Sequence, residues 1–108
     1  MESELLRISK LISTELLSKT KKWLEYFQKK KILAPDCIAV IDSKELTLEW
    51  NRKRSTIFVD LFDNLSLVEC SVRFGKNLHN EKVFKNEDES LPYGEVEIWI
   101  KKTFEKYE

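Results

Sequence analysis

The chain has 108 residues, a length that suits one domain burying roughly two-thirds of its unfolded surface and leaves no room for a second core. Lys+Arg and Asp+Glu number 19 each, so a net charge of zero draws the whole molecule toward neither nucleic acid nor anionic lipid, and any such binding must come from a local patch. The start Met1-Glu2-Ser3-Glu4 is acidic, and the longest wholly apolar run, Cys37 to Ile41, is far too short to span a bilayer. Two cysteines do not make a disulfide framework, so the expectation is a cytoplasmic protein with reduced, structural thiols and no membrane contact.

From Ser3 to Lys31 the chain lacks Gly and Pro, and Leu5, Ile8, Ile12, Leu16, Trp23, Tyr26 and Phe27 share one helical direction. Lys19 and Thr20 interrupt this stripe without shifting its phase. The expectation is therefore one long helix over residues 3–31, with Ser3 as N-cap and Lys19 snorkelling past the core. Lys29-Lys30-Lys31 suits the carbonyl end of that helix, and Pro35 prevents its continuation.

A short β-prone run at 38–41 comes next, and a reversal at Asp42 to Glu45 would set Ile41 opposite Leu46. Strict alternation over 46–51 and again over 55–62 marks two half-buried strands, and a tight reversal at Arg52-Lys53 would place Leu48 opposite Ile57 and Leu46 opposite Val59. A turn at Asp63-Asn64 leads into a strand over 65–74, with Val59 expected opposite Val68 and Ile57 opposite Cys70. These pairings put Leu46, Leu48, Trp50, Ile57, Val59, Leu61, Val68, Cys70, Val72 and Phe74 on a single apolar face, the expected core. Gly75 to Asn80 reads as a loop, 81–85 as a candidate edge strand, and 92–106 as a helix opened by Pro92. The fold class implied is α+β: a long N-terminal helix, an antiparallel meander of three to five strands and a C-terminal helix. Both helices would lie on the apolar sheet face in a two-layer sandwich.

The residues argue against most chemistry. His79 is the sole histidine, and Cys37 and Cys70 are neither a Cys-x-x-Cys pair nor its neighbours, so no metal site can be written. With Gly75 and Gly94 as the only glycines, no glycine-rich phosphate loop exists. Glu49 and Glu69 share the face opposite the core, but they stand two strands apart and nothing supplies a cleft around them. The expectation is a non-enzyme without cofactor.

Parity leaves Phe58, Phe62, Leu65 and Leu67 on the sheet face away from the helices, rimmed by Asp60, Glu69 and Arg73, with Ile38 and Val40 joining from the first strand. Such a patch points to a small protein–protein interaction module, an accessory subunit or inhibitor, with a protein partner or a second copy docked there. The alternative is a small nucleic-acid-binding regulator that uses Arg52, Lys53 and Arg54 together with the helix lysines.

Overall fold

Strands that are consecutive in sequence are neighbours in space throughout the sheet. In a computed structural model describing residues 2–64 and 66–107, β1 (Cys37–Asp42), β2 (Glu45–Asn51), β3 (Thr56–Phe62), β4 (Val68–Phe74) and β5 (Asn77–Phe84) form one antiparallel meander in that order. Two helices precede it, α1 (Glu2–Ile8) and α2 (Thr14–Lys29), and α3 (Tyr93–Tyr107) follows. Leu46, Leu48, Trp50, Ile57, Val59, Leu61, Val68, Cys70 and Val72 are all buried, and they join Ile8, Leu16, Trp23, Phe27, Val96 and Ile100 of the helices in one core. All three helices therefore pack on the same sheet face, as amphipathic stripes facing one continuous apolar surface require.

Trp50 is the meeting point of the two layers. Its ring lies 5.7 Å from Phe27 of α2 and 6.0 Å from Phe104 of α3, and its indole N–H donates to the Leu33 carbonyl at 2.7 Å. That bond satisfies the one polar atom of a fully buried aromatic residue and ties the segment after α2 to the sheet.

The single helix expected over residues 3–31 is two helices, and the break falls at Ser9 to Ser13 rather than at Lys19-Thr20. Ser13, with extended backbone at φ −65 and ψ 159, is the N-cap of α2 and accepts from the Leu16 N–H at 3.1 Å. Ser9 turns its hydroxyl back to the Leu6 carbonyl at 2.8 Å, offering the backbone an alternative to further helix. Ile8 and Ile12 are both buried on either side of the break, so the phase survives it and periodicity alone could not reveal it. Ser3 accordingly lies inside α1 rather than at its cap. Through Lys19 and Thr20 the helix is continuous. Thr20 is buried with its hydroxyl on the Leu16 carbonyl, while Lys19 extends to the Phe62 and Asp63 carbonyls at 3.2 and 2.5 Å.

Helix α2 ends in a Schellman motif: the Ile32 N–H reaches the Phe27 carbonyl at 2.8 Å and the Lys31 N–H reaches Gln28 at 3.1 Å. Lys31 occupies the left-handed position with φ 60, where glycine is usual. Ile32, buried just beyond it, supplies the hydrophobic contact that accompanies the motif.

Side-chain parity in the sheet is as expected, but the registers are displaced by two residues. Leu48 pairs with Val59 and Trp50 with Ile57, because the connection runs over four residues, closed by the Arg52 N–H on the Ser55 carbonyl, instead of two. Likewise Val59 pairs with Cys70 and Ile57 with Val72 across a longer turn after Phe62. A slip of two leaves every side chain on its own face, so the apolar pattern cannot detect it.

On β1, Val40 rather than Ile41 pairs with Leu46, and an irregularity between Val40 and Asp42 leaves Ile41 exposed. Ile38 and Val40 thereby face the core instead of joining the outer patch. The stretch read as a loop at 75–80 is largely strand: after the turn at Gly75-Lys76, where Gly75 has φ +60, β5 begins at Asn77. This edge strand is exposed from Asn77 to Val83, with only Phe84 packed against the core, and lacks the alternation that would mark it.

Candidate functional site

The sheet face away from the helices is built from alternate residues of all five strands. One row runs Cys37, Glu49, Phe58, Ser71 and Glu81, the next runs Ala39, Thr47, Asp60, Glu69 and Val83, and Glu45 pairs with Phe62 beyond them. Phe58, Phe62 and Leu67 are half-buried and stand outside the core cluster and its packing partners, so they belong to this outer face. Leu65 lies outside the described residues. Leu78 and Val83 of β5, both exposed, extend the apolar area toward the sheet edge.

Carboxylates are interleaved with these side chains. Asp60 accepts from the Thr47 hydroxyl at 2.6 Å and stands directly opposite Glu69. Burial pushes the Asp60 carboxyl above its ordinary range; the Thr47 bond and Arg73 oppose this, while Glu81 and Glu49 add to it. Glu69 is raised by burial and then by Asp60 and Glu81, and Glu45 by burial and then by Asp60, Asp42 and Glu69. Among the described residues no ion pair joins Asp60, Glu45 or Glu69 to a cation, and the pairs Arg7–Glu4 and Lys101–Glu97 both lie on helices.

At the β1 edge the Cys37 thiol donates to Glu49 at 3.0 Å, and that bond, with burial, pushes the thiol up to about 11. Cys70 is buried in the core, which raises its thiol as well. Neither sulfur has the lowered pKa that nucleophilic work requires. His79 lies on β5 rather than in a loop, with its ring edge-on to Phe74 at 4.8 Å and to Tyr107 at 5.4 Å. Among the described residues no cluster of His, Cys, Asp or Glu is arranged to hold a metal ion, and no helix is long and apolar enough to cross a membrane.

The basic turn is not assembled as three free cations. Arg52 lays its guanidinium over the Phe104 ring of α3 at 4.4 Å and donates to the Asn51 carbonyl at 3.3 Å, which leaves Lys53 and Arg54 exposed at the tip. Sequence reasoning placed the aromatics of the outer face and named Asp60 and Glu69 as its rim. It missed that these acids lie within the patch in a continuous row, a consequence of the two-residue register displacement. The chain matches no family model, no curated protein and no solved structure.

Proposed function

We propose that the chain is a non-enzymatic interaction module, an accessory subunit or inhibitor, whose outer sheet face docks a basic protein surface. The observation that carries this reading is the composition of that face: Phe58, Phe62 and Leu67 interleaved with Glu45, Glu49, Asp60 and Glu69, with the helices all on the other side. Half-buried aromatics offer stacking platforms to arginine side chains, and the carboxylates between them supply the opposite charge. Burial chiefly, and then repulsion from neighbouring carboxylates, raises the Asp60 and Glu69 carboxyl groups, and a cationic partner would offset the repulsive part.

The competing nucleic-acid reading draws less support. Arg52 is turned inward onto Phe104, and the acidic face repels phosphate over much of one side of the molecule.

The test compares the wild-type chain with Phe58→Asp and Asp60→Lys in partner capture and in sedimentation, alongside thermal unfolding. Each variant is expected to lose association far more than stability: at these half-buried positions Phe58→Asp sets a carboxylate opposite Glu49 and Asp60→Lys loses the Thr47 bond, modest costs in the free chain beside a charge that a partner would bury. Association that survives both changes, or variants that unfold outright, would overturn the assignment.

A further inference from the structure

A concave surface lies on the helical layer, away from the outer sheet face. Helix α1, helix α2 and the segment after α2 enclose a cleft of about 860 Å³, within the size range of small-molecule sites. Leu17 and Leu24, two helical turns apart on one side of α2, line its floor, with Leu5 and Leu6 on the α1 wall and Leu33 and Ala34 on the other. Leu6 is 76% exposed and Leu33 59% exposed, so both rims are apolar and open to solvent. From Leu17 to Gln28 the α2 wall runs for ~16 Å, which makes the cleft elongated.

Its polar lining, Ser9, Lys21, Glu25, Gln28 and Lys31, is unbalanced in charge. Lys21 stands between Leu17 and Leu24, Lys31 stands at the end of the helix, and Glu25 is the one acid among the lining residues. Two cations against one anion leave a single net positive charge among the lining residues. Phe27 is the sole aromatic lining residue and is itself buried in the core, so the walls present no stacking platform for a planar ring or a base. A long cleft with leucine walls and one net positive charge suits a flexible alkyl chain carrying one negative charge.

We propose that the cleft between α1, α2 and the 32–35 segment binds one free long-chain carboxylate, with the carboxylate held by Lys31 at the end of the helix and the alkyl chain running back along Leu24 and Leu17. The site is separate from the interaction face, so the two readings stand or fall independently.

Calorimetric titration of the full chain with sodium laurate, below its micelle-forming concentration, tests the proposal. Laurate is expected to saturate at one molecule per chain, and dodecyltrimethylammonium, with the same chain length and opposite charge, to bind about tenfold more weakly or worse. Lys21→Glu changes an exposed position and should weaken laurate about tenfold while narrowing the gap to the cationic amphiphile. Ala34→Trp, also at an exposed position, should fill the cleft and abolish laurate binding with the thermal transition retained. Any of the following results overturns the proposal: no saturable binding, several laurates per chain, equal affinity for the two amphiphiles, or binding undiminished in Ala34→Trp. Binding to phosphatidylglycerol vesicles without binding of monomeric laurate overturns it as well, and assigns the leucine rims to a membrane surface.

Discussion

Asp60 of β3 and Glu69 of β4 stand directly opposite one another on the outer sheet face, a like-charged cross-strand pair that Thr47 partly compensates by donating to Asp60. Like charges in this position weaken a sheet. Both carboxyls, and Glu45 beside them, are held above their ordinary range, chiefly by burial. The folded chain thus binds these protons more tightly than the unfolded chain, so their contribution to stability declines as pH rises from the ordinary carboxylate range through the raised folded values. Asp88 and Glu97 are held below the ordinary range and act in the opposite sense, losing their contribution only at more acid pH. The unfolding temperature is expected to rise on going from neutral to mildly acid solution before falling again. Glu69→Gln should flatten that rise and add ~0.5 kcal/mol at neutral pH. A variant less stable than wild type at neutral pH would show that Glu69 makes a favourable contact outweighing the repulsion.

Arg52 predicts a difference among three neighbouring cations. Its guanidinium lies over Phe104, joining the β2–β3 turn to α3, whereas Lys53 and Arg54 are exposed. Arg52→Ala should cost about 1 kcal/mol, against less than about 0.5 kcal/mol for Lys53→Ala or Arg54→Ala. Urea midpoints of the three single variants check this. Equal midpoints would mean that the stacked arrangement contributes nothing beyond a solvated turn.

What was legible in the sequence follows from what repeats at a fixed period. Alternation over Leu46 to Trp50 and Ile57 to Leu61 assigned each of these side chains to its face, since a half-buried strand admits no other pattern. Register was not legible, because a displacement of two residues preserves parity and only the number of turn residues distinguishes the alternatives. The break before Ser13 was hidden for a related reason: Ile8 and Ile12 keep helical spacing across it, although Ser13 followed by Thr14 and Glu15 is a helix-start signal in its own right. The cleft was not read from the sequence, although Leu6, Leu17 and Leu24 lie off the apolar stripe of the N-terminal segment. Leucines outside the stripe are where a second apolar surface becomes visible, and their common exposure to one cleft depends on the α1–α2 corner that periodicity concealed.

Lys31 links the end of α2 to that cleft. Its backbone sits at φ 60 in the Schellman motif, where a side chain with Cβ pays for a left-handed conformation that glycine adopts freely. Both hydrogen bonds of the motif come from backbone N–H groups of Lys31 and Ile32, so a change of side chain at this position leaves them in place. Lys31→Gly is therefore expected to raise stability by about 1 kcal/mol, the left-handed penalty recovered less the extra freedom that glycine gives the unfolded chain. The same substitution removes one of the two cations lining the cleft, so laurate affinity should fall as the unfolding temperature rises. Lys31→Ala separates the two effects: it loses the charge and keeps the strain, so it should match Lys31→Gly in ligand affinity while remaining close to wild type in stability. If Lys31→Gly proves less stable than Lys31→Ala, the left-handed position carries no penalty in this chain and the capping argument fails.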